Sequence, residues 1–216
     1  MSRIPATERR AALARAALAV IARDGLAAAT TRAIVAEAGM PLASFHYAVA
    51  SRDELLRDVV ELVVAEEGMA ALAPLLAEAD GVREAAQLAL TAYFAFVRRD
   101  PGHEQAMFEL TQYALRTPAL DDLPAEQYAR YHDLAIDLLE AATAQHHPDW
   151  RVPMPDLARL LVSFTDGLTL AWLADRDDAA AQRSIDLAAI AIASFAGTRT
   201  DAHSAVRSAA HSAVHA

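Results

Sequence analysis

The stretch Ile34–Leu56, "IVAEAGMPLASFHYAVASRDELL", decides the fold. It begins at helical spacing with Ile34, Val35 and Ala38, stops at Gly39, restarts after Pro41 and stops again before Ser51. Glycine suits the residue just past a helix, because it takes up left-handed backbone freely, and proline suits a first helical turn. Ser51 with Glu54 has the S-x-x-E spacing of a capping box, which marks the start of a further, longer helix. Two helices of about two turns set this close have the layout of a helix-turn-helix, although any small helical bundle also makes tight turns at glycine.

Working outward toward the N-terminus, Thr7 is a candidate N-cap for a first helix. Leu13, Ala17, Val20 and Ile21 share one face of it, while Arg9, Arg10, Arg15 and Arg23 lie mostly off that face. That helix ends at Arg23-Asp24-Gly25, with Gly25 as the residue past its end. Thr30 and Thr31 cap the second helix, and the third starts near Met40 to Leu42 and runs to about Val49, so three helices fill the first ~50 residues. Toward the C-terminus, breaks fall at Gly81, Arg98–Gly102, Arg116–Pro124 and His146–Pro155. Between them the pattern predicts helices near residues 52–79, 82–99, 103–115, 124–146, 156–175 and 179–196, and no stretch alternates as a strand would. The expected fold is all-α. Residues 1–50 form a helix-turn-helix domain, residues 51–197 a second helical domain, and residues 198–216, in which "HSAV" occurs at His203 and again at His211, a disordered tail.

Composition narrows the function classes. Of 216 residues, 55% are hydrophobic but only 6% aromatic, because alanine, the best helix former, carries much of the total. Cysteine is absent, which excludes disulfides, thiolate metal sites and thiol nucleophiles. The first residues mix Arg and Glu and lack the apolar core of a secretory signal. The longest uncharged apolar runs, such as Ala85–Val97, are too short to cross a bilayer of ~30 Å as a helix, so a soluble cytoplasmic protein without a membrane partner is expected. The net charge of −10 disfavours phosphate binding in aggregate, yet Met1–Leu55 holds seven arginines against five acidic residues, which leaves the acidity to the remainder.

Ala43, Ser44, His46 and Tyr47 are small or polar, while Ile34, Val35, Ala38 and Leu42 are apolar enough to join the two short helices, and the cluster "FHY" is expected to split, Phe45 turning into the core and His46 and Tyr47 outward. A short helix that presents Ser, His and Tyr beside Arg32 and Arg52 suits phosphates and base edges. The order "TTRAIVAEAGMPLASFHYAVASRDELL", residues 30–56, resembles the N-terminal domain of the TetR family of bacterial repressors, through Thr30, Ile34, Ala38, Gly39, Ser44, Ser51, Glu54 and Leu55. It departs from that pattern at Val35, Met40-Pro41, Ala43, His46-Tyr47, Val49 and Arg52; at Pro41 a hydroxyl that would cap the helix or touch phosphate is missing.

The resemblance implies a transcriptional regulator, most simply a repressor, that binds double-stranded DNA. Thr30, Thr31 and Arg32 would meet phosphates at the start of the second helix, Leu42, Ala43, Ser44 and His46 would face bases beside Pro41, and Tyr47 and Arg52 would hold the DNA backbone. Arg3 would reach a minor groove. So few cations per protomer imply a homodimer on a palindromic operator, with half-sites about 34–36 Å apart. The resemblance further implies a C-terminal domain that binds a small-molecule effector and dimerises through its last two helices as a four-helix bundle. Asp156–Asp178, apolar nearly all round, and a following helix with Ile185, Ala189, Ile192 and Ala196 on one face fit that role.

Candidates for the effector pocket are Met107, Phe108 and Thr111 near one side of a helix, with Phe94, Tyr128, Tyr131, Phe164 and Trp172 bulky enough to line a cavity or to fill a core. No metal or cofactor is implied. His146, His147 and Asp149 lack a third spaced ligand, and Asp121-Asp122 and Asp175–Asp178 lack D-D-x-x-D spacing. An all-α enzyme holding magnesium on those acids, or a helical interaction module that never touches DNA, are the alternatives.

Overall fold

The computed structural model describes residues 5–75 and 79–197, the side chains of residue 6 and of residues 65–75 excepted. Arg3 and the repeated tail lie outside the described residues. Among the described residues the chain is almost wholly helical. Helices α1 (Ala6–Asp24), α2 (Thr31–Glu37), α3 (Leu42–Ala48) and α4 (Arg52–Leu75) are followed by α5 (Val82–Arg99) and α6 (Pro101–Ala114). Then come α7 (Leu123–His146), α8 (Met154–Asp175) and α9 (Asp178–Ser194). Single 3-10 turns stand at Leu26–Ala28 and Pro118–Leu120. A short antiparallel pair, β1 (Asp149–Trp150) with β2 (Ala196–Gly197), was not expected from sequence, since two residues are too few to show alternation.

The chain divides into two compact units. The first comprises residues up to Ala70 together with Phe94–Tyr131. Its core is built by α1, α2, α3 and the first turns of α4: Leu13, Ala17, Val20, Ile21, Ile34, Phe45, Val49, Leu55 and Val59 are all buried. Burying Phe45 alone is worth roughly 1.5–3 kcal/mol, a large share of what three short helices can supply. Arg10 of α1 donates from Nε and Nη2 to Asp58, at 2.6 and 2.8 Å, and from Nη1 to Glu54 at 2.7 Å, which fixes α1 against α4. Both carboxylates push the Arg10 guanidinium further up, Asp58 most strongly. Arg57 of α4 pairs with Asp122 and, at 3.1 Å, with Glu126 of α7, and Arg130 of α7 pairs with Glu61 of α4 at 2.8 Å. The start of α1 corrects one expectation. Thr7 lies within the first turn, the helix being preceded by Pro5, which makes no side-chain cap bond.

The second unit comprises Ala71–Tyr93 and the chain from His132 onward. Asp177 caps α9 by accepting from the Ala180 amide at 2.9 Å, and Arg176 closes α8 in left-handed backbone at φ 56°. Ala181, Ile185, Ala189 and Ile192 form the buried stripe of α9; of the expected face Ile185, Ala189 and Ile192 belong to it, whereas Ala196 lies past the helix end in β2. Leu160 and Leu170 of α8 and Leu187 and Ile190 of α9 stay exposed, 45–67% accessible. By length and composition α8 is apolar enough to cross a membrane, although it carries Arg159 and Asp166 and so contains no uncharged run of that length.

Candidate nucleic-acid interface

The helix-turn-helix is held by local bonds that its sequence specifies. Thr30 is the N-cap of α2, its Oγ1 accepting from the Ala33 amide at 3.2 Å. At the other end the Met40 amide donates to the Val35 carbonyl at 2.8 Å and the Gly39 amide to the Ala36 carbonyl at 3.1 Å, the bond pair of a Schellman motif. Gly39 has φ +62°, and a Cβ there would meet nothing within 4 Å, so the backbone conformation and not crowding demands glycine. A side chain at that φ costs about 1–2 kcal/mol. Pro41 stands just before α3, at φ −65° and ψ 150°, and supplies no side-chain cap; its carbonyl accepts from the Ser44 amide at 2.9 Å.

This turn sets α3 with one side inward. Phe45 is 2% exposed and Tyr47 80% exposed, while Pro41, Ala43 and His46 are exposed and Ser44 is half-buried. The His46 ring meets the edge of Phe45, centroids 5.7 Å apart at 76°. The expected split of the "FHY" cluster, Phe45 inward with His46 and Tyr47 outward, is what the structure shows. At the junction of α2 and α3, Ile34 and Val35 are buried, whereas Leu42 is only partly covered, at 43% exposed. On α2, Arg32 is exposed and Thr31 half-buried.

The capping box forms with a shift of one residue. Ser51 Oγ accepts from the Glu54 amide at 3.0 Å, and Glu54 Oε2 reaches back to the Ala50 amide at 2.6 Å. The Ala50 amide, with Arg10 beside it, holds the Glu54 carboxyl below its ordinary range against the smaller opposing push of burial.

Arg52 departs most from expectation. Assigned to the DNA backbone, it is turned into the fold: Nε donates to the Ala29 carbonyl and Nη2 to the Leu26 carbonyl, both at 2.8 Å, and the guanidinium lies over the Tyr113 ring at 5.6 Å. Glu109 of α6 accepts from the Leu26 amide at 2.9 Å. Gly25, next to it, has φ 83° and ψ 163°, a region open to glycine almost alone and not the left-handed helical conformation expected past a helix end. Leu26, Ala27, Thr30, Thr31, Arg52, Glu109 and Tyr113 line an open groove of about 600 Å³. Sequence reasoning missed Glu109 and Tyr113. Glu109 lies 83 residues from the Leu26 amide it accepts from, Tyr113 meets the turn only through Arg52, and one acid and one tyrosine on a helix carry no local signal.

The proposed pocket residues separate by unit. Phe94, Met107, Phe108, Thr111 and Tyr131 belong to the first unit, Phe164 and Trp172 to the second. Phe94 and Met107 are buried, and Phe108, Tyr131 and Phe164 are half-buried. The Thr111 hydroxyl lies 2.9 Å from the Met107 carbonyl and 3.0 Å from Gln127 Oε1, and Gln127 Nε2 is 3.2 Å from the Tyr131 hydroxyl. Tyr128 packs edge-on against Tyr131, centroids 5.7 Å apart. Gln127, 3% exposed, was missed, because a glutamine on a long helix reads as surface. In the second unit the Tyr93 and Thr169 hydroxyls bond at 2.8 Å. The Trp172 indole donates to Asp178 at 2.8 Å beneath the Arg176 guanidinium, closing the turn between α8 and α9.

The acidic clusters serve helix ends. Asp175 accepts from the Asp177 amide, Asp177 caps α9, Asp178 holds Trp172, and Asp122 pairs with Arg57. His147 leaves α7 at φ 49°, and Asp149 pairs in β1.

Comparison with known proteins agrees with this layout. Residues 13–59 match the family profile of the bacterial regulatory proteins of the tetR family, and residues 82–197 that of the C-terminal domain of BetI-type transcriptional repressors. The HTH-type nicotine-responsive transcriptional repressor HdnoR of Paenarthrobacter nicotinovorans is 29% identical over 176 residues, which cover 82% of this chain and 89% of the relative. Among solved structures, SCO7518 of Streptomyces coelicolor A3(2) is 25% identical with a TM-score of 0.67, covering 88% of this chain and 99% of that one. A transcriptional regulator from Rhodococcus sp. is 16% identical with a TM-score of 0.71, over 88% and 98%. With its helix-turn-helix and more than half its length matched, the chain belongs to the tetR family and is a DNA-binding transcriptional regulator, not an enzyme.

Proposed function

We propose that this regulator is a repressor that binds a palindromic operator as a homodimer and is released by a small-molecule effector. The observation that carries the reading is the outward side of α3, where Leu42, Ala43, His46 and Tyr47 stand exposed on a helix that Phe45 fixes to the core. Residues 1–50 act as the DNA-binding domain. Thr30, Thr31 and Arg32 meet phosphates at the start of α2, and Pro41, Leu42, Ala43, Ser44 and His46 lie against the bases. Tyr47 holds the DNA backbone, while Arg52 acts indirectly by holding the turn that carries Thr30.

Residues 51–197 bind effector and partner. Leu160, Leu170, Leu187 and Ile190 are large apolar side chains left uncovered on two helices in contact, and a second copy of the same pair covers them in a four-helix bundle. The aromatic and polar side chains Phe94, Met107, Phe108, Thr111, Gln127 and Tyr131 suit contact with a small organic ligand, a class to which the nicotine that the relative HdnoR responds to belongs. Effector binding favours a geometry whose two α3 helices no longer match successive grooves. The protein acts where its DNA is, in the cytoplasm.

Gel-shift titration against the DNA flanking its own gene, at two salt concentrations, tests the reading. A specific complex that weakens steeply with salt supports it. Binding to no fragment at low salt would overturn it.

A further inference from the structure

Base reading in the major groove draws on few side chains. Arginine or lysine reads guanine through two hydrogen bonds, asparagine or glutamine reads adenine in the same way, and aspartate or glutamate accepts from cytosine. From Met40 to Ser51, the segment that contains α3 and both its flanks, none of these six residue types occurs. The chain has no lysine and no asparagine anywhere, and its first glutamine is Gln87. Neighbouring arginines are already committed: Arg10 to Asp58 and Glu54, Arg23 to Asp24 and Glu37, Arg52 to two carbonyls, and Arg57 to Asp122 and Glu126. Arg32 is exposed, but it stands at the start of α2, which braces α3 from the DNA backbone.

The outward side of α3 offers hydrocarbon instead. With Phe45 as the buried direction, a rotation of about 100° per residue places Ala43 and Tyr47 opposite it, Leu42 and His46 on one flank and Ser44 on the other. The exposures agree with that arrangement, and Leu42, on the flank nearer the core, still leaves 43% of its surface exposed. Leu42 and Ala43 open the helix, and in a helix-turn-helix the N-terminal residues of the second helix go nearest the base edges. The one base-edge feature in the major groove that rewards a hydrocarbon side chain is the C5-methyl of thymine.

Resting on the DNA-binding reading above, we infer that the regulator reads its half-site chiefly through thymine C5-methyl groups packed against Leu42 and Ala43. Ser44, His46 and Tyr47 add single hydrogen bonds, and α3 makes no two-bond contact to guanine or adenine. Burying one methyl against a hydrocarbon side chain is worth about fourfold in affinity, so a thymine read in both half-sites contributes about fifteenfold.

The test uses the full-length protein and a fragment recovered from the source genome by binding. Each thymine is replaced by deoxyuridine, which keeps the base pair and lacks only the methyl, in both half-sites together. Each guanine is replaced by 7-deazaguanine, which lacks the N7 acceptor. The expected result is a loss of about fifteenfold at one or more thymine positions and of less than about threefold at every guanine. Leu42→Ala and Ala43→Gly should bind the thymine fragment more weakly and show a deoxyuridine penalty reduced to about fourfold or less in at least one of them, with thermal unfolding unchanged in Leu42→Ala. No thymine position above about twofold, or a larger guanine penalty, overturns thymine reading while DNA binding stands. A penalty undiminished in both variants overturns the assignment to Leu42 and Ala43. Failure to bind any fragment at low salt overturns the DNA-binding reading itself and this inference with it.

Discussion

Glu54 shows how one side chain joins local and tertiary structure in this family of folds. It caps α4 through the Ala50 amide and anchors Arg10 of α1, so Glu54→Ala removes a cap and an ion-pair partner together. The expected loss is about 1 kcal/mol, since the site is partly exposed and screening weakens the ion pair. The sign of the pH dependence follows from its lowered carboxyl. Because the folded state holds the proton less tightly than the unfolded chain, the contribution is present above the ordinary glutamate range and fades as pH falls through the lower folded value. Unfolding titrations of parent and variant should therefore differ by a constant amount above the ordinary glutamate range and converge progressively as pH falls below it. A gap that persists undiminished at pH 3 would assign the effect to packing. Gly39 and Pro41 act on the same scale with opposite visibility: the glycine announces its turn in sequence, whereas the consequence of losing a hydroxyl at position 41 is an α3 with no side-chain cap at all.

The turn at Leu26–Ala29 is the feature that local sequence could not supply at the scale of elements. It is held by Glu109 from α6 on its amide side and by Arg52 from α4 on its carbonyl side, and it delivers Thr30 to the start of α2. Glu109→Ala should leave the helices intact but speed hydrogen exchange at the Leu26 amide by about tenfold, the value of one charge-assisted bond at a partly exposed site. Operator affinity should fall by about fivefold or more, because α2 loses its fixed entry point. Unchanged exchange at Leu26 would show that the 3-10 turn holds itself. Arg52→Gln should produce the same two effects, which separates a role in the turn from direct phosphate contact. A phosphate contact would change the salt slope of binding, and a positioning role would not.

For the whole molecule, the decisive property is the uncovered apolar surface of α8 and α9. Leu187 is 67% exposed in the single chain, so Leu187→Asp together with Ile190→Asp should leave the protomer folded by circular dichroism. Sedimentation should then show a monomer, and operator binding should weaken by more than about a hundredfold as the second half-site is lost. A double variant that remains dimeric would place the interface elsewhere. The same surface accounts for the hydropathy of α8: a helix apolar nearly all round in sequence has about a third of its most apolar stretch buried once folded, and Leu160 and Leu170 stay uncovered.

Much of this could be read without coordinates. Periodicity, Thr30, Gly39 and the Ser51–Glu54 spacing are local signals, and local signals define helices, because helical hydrogen bonds and caps join residues three or four apart. They were enough to find the helix-turn-helix, to send Phe45 inward and Tyr47 outward, and to place the later helices within a few residues. The absence of Arg, Lys, Asn, Gln, Asp and Glu from Met40 to Ser51 is likewise a property of sequence alone. Only the tertiary structure decided that Arg52 bonds the Leu26 and Ala29 carbonyls, that Trp172 closes a turn, that Leu42 stays partly exposed, and that Glu109 and Gln127 hold partners distant in sequence. Each of these depends on a partner brought near by packing, and a side chain's partner, unlike its helix, is set by residues distant in sequence.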